Sequence, residues 1–420
     1  VQNESLEKVV ALCRKLEKRV VVGGPYVSTS SERLPEADHI FIGEAEATLP
    51  VFLNDLELGI AQKIYKADDR PALTATPVPD FSLIDMSKYS AMNVQYSRGC
   101  PFNCEFCDII EIYGRVPRTK TNAQMLAELD ALKATGWRGL VFIVDDNFIG
   151  NKKNVRLLMP DLIDWSVRNG RPFSYITEAS VNLAEDDVLL SQMQEAGFRR
   201  VFLGTETPVE ESLKAAQKGQ NTRRNLLDSI HKIQSFGMEV MAGFILGFDN
   251  DPEDIFERQM NFIRESGIPL AMVGLLSALP DTQLWRRLEK EGRLLGTTSG
   301  NNTDCTLNFV PSMEVGKLVE GYKRVLQNIY SPREYYRRAL DCLSRFHKDR
   351  IEPRKSTALE DLRALYKIIM TLGIRDGSRR EFWAFFYKLV RHHTRDFAHG
   401  LTLAAMGYHF RMITEKYTAE

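Results

Sequence analysis

Three of the six cysteines, Cys100, Cys104 and Cys107, fall inside the stretch SRGCPFNCEFCDI, residues 97–109. Thiolates ligate zinc and iron, so a C-x3-C-x2-C loop poses first a question of metal chemistry. A structural zinc site commonly takes four ligands as two closely spaced pairs. No second pair lies near this loop, because the other cysteines are Cys13, Cys305 and Cys342. Three thiolates can instead bind three irons of a cubane [4Fe–4S] cluster, which leaves the fourth iron open to a small molecule. A zinc-binding loop is the alternative reading of the same residues.

The elements around this loop determine what it can reach. From residue 91, NVQYSRG reads as a strand leading into the cysteines, and TNAQMLAELDALKATG as a helix capped at Thr121 and ending at Gly136. Further strands follow in GLVFIVDDNF, FSYITEASV, RRVFLGTET, MEVMAGFILGF and PLAMVGLLSALP, each succeeded by a helical pattern. Six βα units are fewer than the eight of a closed barrel, so 91–329 is expected to form a partial (β/α)6 barrel. Residues 1–63 alternate helix and strand and are expected to form a smaller parallel α/β unit. Residues 64–90 read as an extended linker, and 330–420, with SPREYYRRALDCLSRF and three more 3.6-periodic segments, as an all-helical extension.

Composition bounds the partners. Charged residues make up 26% of the chain, yet the formal net charge is −1, so no strong field favours nucleic acid or an anionic membrane. No apolar run reaches the ~20 residues that span a bilayer. The opening VQNESLEKVV lacks a secretory pattern and the remaining cysteines form no disulfide framework, so a reducing cytoplasm is the expected setting. Residue 1 is Val, and the chain opens on a helix and a strand with no earlier strand to pair with. The N-terminal domain is therefore expected to lack its first part.

The cysteine spacing, with the aromatic Phe106 directly before the third cysteine and a strand directly before the first, resembles the signature of the radical S-adenosylmethionine (SAM) family. The resemblance implies that Cys100, Cys104 and Cys107 hold a [4Fe–4S] cluster whose open iron is chelated by the amino and carboxylate groups of SAM. It implies one-electron cleavage of SAM to a 5′-deoxyadenosyl radical, with a flavodoxin or ferredoxin as electron donor. Asp145, Asp146 and Asn147 resemble a polar variant of the turn that meets the SAM amino group. Glu178 stands where the family often has a ribose contact, and Gly204 and Glu206 resemble strand-end SAM contacts. Gly243 and Gly247 permit close backbone approach. Helix caps and surface loops are the structural alternatives for the polar residues. Arg98 and Arg115 flank the loop as cluster-tuning or carboxylate-binding groups, or as ordinary salt-bridged arginines.

GGPYVSTSSERLPEADHIFIGEAEATLPVFLNDLELG resembles the second half of the Rossmann-like cobalamin-binding domain that precedes many radical SAM barrels. By that resemblance Gly23 and Gly24 pass close to the corrin or its nucleotide tail, and Glu44 contacts the cofactor, whereas Glu44 and Glu46 could equally cap the next helix. No D-x-H-x-x-G motif supplies an axial histidine, and His39 lacks that context. Cobalamin is thus implied for the full-length protein, while a half-domain with an exposed sheet edge is expected to hold it poorly. The C-terminal helices resemble an extension of unknown role in one subgroup. Their histidines, His392, His393, His399 and His409, and the stripe Trp383, Phe385, Phe386 and Tyr387 read as packing and surface groups. The implied function is cobalamin-dependent methyl transfer to an unactivated carbon of a small-molecule or lipid substrate. The alternatives are a radical SAM oxidoreductase, cyclase or mutase, and a non-catalytic Fe–S electron-transfer module.

Overall fold

The computed structural model describes residues 3–29, 36–67, 69–296, 305–346 and 358–418. In the N-terminal unit, strands β1 (Val21–Val22), β2 (His39–Ile42) and β3 (Ile64–Lys66) form a parallel sheet in that order. Val10 of helix Asn3–Lys15 joins Val20, Val22 and Ile40 in one small core. The sequence reading begins the linker at residue 64, but β3 is a strand because Tyr65 has somewhere to go. Its ring packs edge-on to Phe41 and Phe52, and its hydroxyl donates to Asp55 at 2.9 Å. The connection that follows is not simply extended either. It folds into three 3-10 turns, two of them capped by Asp80 and Asp85, and buries Leu73 and Phe81.

The next strands are β4 (Met92–Val94), β5 (Ser97–Arg98), β6 (Arg118–Thr119), β7 (Gly139–Ile143), β8 (Phe173–Ala179), β9 (Phe198–Glu206), β10 (Glu239–Leu246) and β11 (Ala271–Leu275). β5 and β6 pair as an antiparallel ribbon at the base of the cysteine loop. The other six form one parallel sheet in the order β11-β10-β9-β8-β7-β4. β4 and β11 are its two edges and do not pair with each other, as a partial (β/α)6 barrel requires. Period-two burial fixes the faces. In β9 and β10, Val201, Leu203, Val240, Ala242 and Phe244 are buried, while Phe202, Gly204, Met241, Gly243 and Ile245 alternate with them on the other face, partly exposed. Thr121 forms the expected cap, a full capping box with Gln124, and Gly136 takes a φ of +88° just past the helix end.

Helices Val315–Ile329, Pro332–Ser344, Ala358–Ile368, Arg379–His392 and Phe397–Thr418 make the C-terminal part. The sequence reading names no helix at 315–329. It buries Leu318, Tyr322, Val325 and Ile329, a helical stripe. Of the aromatic stripe, Phe385 is buried, whereas Trp383 and Tyr387 are exposed. Among the histidines, His399 pairs with buried Glu239 at 2.8 Å, while His392 and His409 are exposed. The long final helix approaches its neighbours closely because two of its residues have no side chain. A Cβ at Gly407 would overlap the Tyr335 ring, and one at Gly400 would overlap Leu389.

Four charged side chains dock the N-terminal unit onto the barrel. Arg98 of β5 donates to Glu44 at 2.7 Å and to both oxygens of Glu46 at 2.8 and 3.0 Å. Arg118 of β6 donates to both oxygens of Glu44 at 2.6 and 3.2 Å, and to the Pro71 carbonyl. Paired guanidinium–carboxylate forks fix orientation as well as distance. The Arg98 guanidinium pulls the Glu46 carboxyl down to about 2 from an ordinary value of 4.5.

Two tests follow from this packing. Gly407→Ala should destabilise the protein by ~1–3 kcal/mol through overpacking, read by denaturant unfolding. Gly377→Ala, whose added carbon would meet nothing within 4 Å, should be near neutral. For the docking contact, a depressed folded pKa means stabilisation that is complete above pH ~4.5 and is lost as pH falls toward ~2. Hydrogen exchange in segment 39–57 should therefore quicken across that window in the natural chain, and Arg98→Met should remove that acid-induced change.

Candidate active site

The cysteine loop has little regular structure, so its shape is imposed from outside. Asp145, just past β7, accepts from the backbone of Tyr96 at 2.7 Å, the backbone of Ser97 at 2.9 Å and the Ser97 hydroxyl at 2.6 Å. Asp146 accepts from the Gly99 backbone at 3.0 Å. Gly99 has φ +96°, and a Cβ there would lie 2.8 Å from the Gly114 carbonyl, so this residue has to be glycine. Further along, the Glu105 backbone N–H donates to Ala216 at 3.1 Å, and its carbonyl accepts from Leu284 at 2.8 Å. The Glu105 carboxylate accepts two bonds from Arg287, at 2.9 and 3.2 Å. The loop that leaves the first sheet strand is thus tied to residues beyond β7, β9 and β11.

Cys100, Cys104 and Cys107 are free thiols, with Cys104 buried. Amide groups face two of the sulfurs: Asn147 Nδ2 lies 3.8 Å from Cys100 Sγ, and Gln220 Nε2 lies 3.4 Å from Cys104 Sγ. Burial pushes the Cys107 thiol up to about 12, with Asp108 adding repulsion, and raises Cys100 as well. Thiolates in such a place need a cationic partner, and iron supplies one. Among the described residues, no three His, Cys, Asp or Glu side chains are arranged to hold a single metal ion. Thiolates on different irons of one cubane do not have to meet that condition. The donor set therefore fits a cluster better than a mononuclear centre.

The other sequence-selected residues divide between two tasks. Asp145 is read from the sequence as a SAM contact, but three donors occupy its two oxygens and it is buried. The structure makes it a support for the strand entering the loop. Asn147 bridges Cys100 to Ser180, whose backbone donates back to it at 3.2 Å. Glu178 makes no side-chain hydrogen bond or ion pair among the described residues. Burial, with repulsion from Asp146, raises it to about 7. Burial also raises Asp146 and Asp108. Asp108, Asp146 and Glu178 thus make a carboxylate-rich patch beside the thiols that a cationic ligand would relieve.

Glu206 ends β9 in the left-handed region, φ +63°, which is strained for a side-chain-bearing residue. It accepts from Lys218 at 2.6 Å. A Cβ at Gly204 would lie 2.8 Å from that Lys218 nitrogen, so glycine leaves room for the pair. Burial disfavours the Lys218 charge, but Glu206 and the thiol groups of Cys104 and Cys107 outweigh it and raise the lysine. Lys218 also lies 5.8 Å from the Phe106 ring centre. Lys218, Gln220 and Asp108 carry no motif, so sequence reasoning missed them.

Gly23 and Gly24 form an exposed turn after β1, with φ +103° at Gly24 and nothing within 4 Å of a Cβ added there. Glu44 is not free for a ligand, because Arg98 and Arg118 engage it. His39 faces the Gln62 carbonyl at 2.5 Å and the Phe52 ring, away from any ligand role. Arg98 is engaged by the two glutamates, and Arg115 is exposed beside the Pro101 carbonyl.

Residues 94–263 match the family described as the radical SAM superfamily, and residues 282–420 match a domain of unknown function, DUF4070. The chain is 41% identical over 419 residues to an uncharacterized methyltransferase of Synechocystis sp., covering 99% of this chain and 78% of that protein. It is 35% identical to the hopanoid C-2 methylase of Rhodopseudomonas palustris, covering 92% and 74%. Among solved structures it resembles OxsB, a cobalamin-dependent SAM radical enzyme, with TM-score 0.60 and 17% identity over 99% of this chain and 70% of that one. It also resembles the radical SAM methyltransferase TsrM of Kitasatospora setae, with TM-score 0.60 and 12% identity over 96% and 84%. These two likenesses concern the fold. The cysteine loop, the parallel six-stranded sheet beneath it and the extent of these matches agree: the chain belongs to the radical SAM superfamily, among relatives named as methyltransferases.

Proposed function

We propose that this protein transfers a methyl group to an unactivated carbon of a lipid-type substrate, with cobalamin as methyl carrier. The observation that carries the reading is the cysteine loop: three free thiols tied over the strand ends, beside a patch of buried carboxylates. The relatives' names support methyl transfer, and the hopanoid methylase supports a lipid. A [4Fe–4S] cluster bound here would supply one electron to the sulfonium of SAM, and cobalamin, where bound, a transferable methyl group.

The chain's own residues then have distinct tasks. Cys100, Cys104 and Cys107 hold three irons. Asn147 and Gln220 donate N–H groups toward two of the sulfurs, which steadies the thiolates and tunes the cluster potential. Asp146 and Glu178 offer negative charge to the ammonium or ribose side of SAM, and Lys218 offers positive charge to its carboxylate. Phe106 and the tied loop exclude water from the space between. Gly23 and Gly24 leave the opening for the corrin or its tail. A reducing cytoplasm and a flavodoxin- or ferredoxin-type donor suit the free cysteines and the one-electron chemistry.

Anaerobic reconstitution with iron and sulfide, then dithionite and SAM, should yield 5′-deoxyadenosine, and Cys104→Ala should abolish it. A methylated product on adding cobalamin and a hopanoid supports methyl transfer, whereas deoxyadenosine without methylation points to an oxidoreductase, cyclase or mutase. A cluster without SAM cleavage points to electron transfer, and bound zinc without sulfide sinks the proposal. The charge on Glu178 gives a pH test. The group is ionised above its raised value of about 7, so SAM affinity should rise with pH and level off there. Below it, affinity should fall by up to about tenfold per pH unit. Glu178→Gln should flatten that profile in a binding titration.

A further inference from the structure

A cavity of about 340 Å3 runs along the open edge of the sheet. One side is β11 and the inward face of its neighbours, including Phe202, Gly243 and Met272. The opposite side is not part of the barrel. Leu326 comes from helix Val315–Ile329, and Phe410 and Ile413 come from the final helix, Phe397–Thr418. At one end Phe106 and Glu206 line the same space, so it reaches the residue directly before Cys107.

The lining has a definite chemistry. It is mostly aromatic and aliphatic, with Ser277, Thr414 and tyrosine hydroxyls as scattered polar points. Among the described residues that line it, Glu206 is the one carboxylate, already paired with Lys218. The size suits a small-molecule pocket, for which ~300–1,000 Å3 is usual. Its far wall is stiff. Tyr330 and Phe410 stack at 5.2 Å with an interplanar angle of 16°, and the Tyr330 hydroxyl donates to the Ala271 carbonyl of β11 at 2.8 Å. Gly407 brings the same helix against Tyr335, whose hydroxyl donates to the Leu403 carbonyl at 2.7 Å. A preformed slot favours a ligand with few internal rotations, since a flexible chain would lose more entropy on entering it.

We infer that the C-terminal helical part is the substrate-selecting wall of the active site, and that the slot it completes against β11 binds a rigid, fused-ring apolar lipid. The inference rests on the proposed function for its choice of a lipid and adds the site, the shape class and the task of the helices. A ring system in this slot would present an edge to Phe106 and the cysteine loop, while the final helix would decide which skeletons fit.

The test uses two fluorescent probes on the full chain: dehydroergosterol, a rigid fused-ring sterol, and cis-parinaric acid, a linear fatty acid. Dehydroergosterol should bind saturably and more tightly than cis-parinaric acid. Ile413→Trp and Leu326→Trp, which fill the slot from two different helices, should each weaken it by at least about tenfold, the scale on which a preformed apolar pocket discriminates size. Met412→Trp, at an exposed neighbouring position, should bind as the natural chain does. Circular dichroism establishes that the variants are folded. No saturable sterol binding, equal binding of both probes, or sterol binding unmoved in both folded slot variants would each overturn the inference. Probe binding needs no SAM cleavage, so failure of the deoxyadenosine assay counts against the proposed function and leaves the wall assignment to be judged on the sterol data.

Discussion

Three thiols can share a cluster only if a nearly structureless loop keeps one shape. Such a loop cannot supply that rigidity from its own hydrogen bonds, so it must borrow it. Here the ties are shared among separate βα units: Asp145 and Asp146 beyond β7, Ala216 beyond β9, and Leu284 with Arg287 beyond β11. An open sheet of six strands leaves its first and last strands each paired on one side only. The cysteine loop crosses that opening at the strand ends, so the element that needs support also links the two sides.

The same arrangement governs the electrostatics. Asp145 tolerates deep burial because three donors meet it, although burial still raises it to about 7. Glu178 has no such partners and is raised to a similar value. One carboxylate is satisfied by the fold, and the other has no hydrogen-bond partner among the described residues. Lys218 and Glu206 are a third case, a buried pair at the end of a strained strand, close enough to the cysteines for the lysine to feel them. Position relative to backbone donors, more than residue type, separates support from function.

This explains what the sequence revealed. The cysteine loop, the βα alternation and the Thr121 capping box are local patterns, and each is present in the fold. Asp145 is legible as a carboxylate at a strand end, but its support of the cysteine loop is not, because its donors lie about fifty residues earlier. Gln220 and Lys218 meet the cysteines through chain separations above one hundred residues, and nothing in KGQN announces that. The helix at 315–329 goes unnamed in the sequence reading, although Leu318, Tyr322, Val325 and Ile329 follow helical spacing. β3 is hidden at the head of a proline-containing stretch, and its strand character depends on the aromatic neighbours of Tyr65.

The unpaired edge of the sheet has one more consequence. In a closed barrel the bore is fixed by strand number and stagger, so enlarging it means rebuilding the hydrogen-bonded ring. Here β11 has no strand partner on its outer side among the described residues, and the width of the space beside it depends on side chains from helices outside the sheet. Volume can then change by substitution at positions such as Leu326 or Ile413, without altering strand register or the ties on the cysteines. Architecture of this kind separates two evolutionary demands: the half that generates a radical can stay constant while the half that receives it is recut for different molecules.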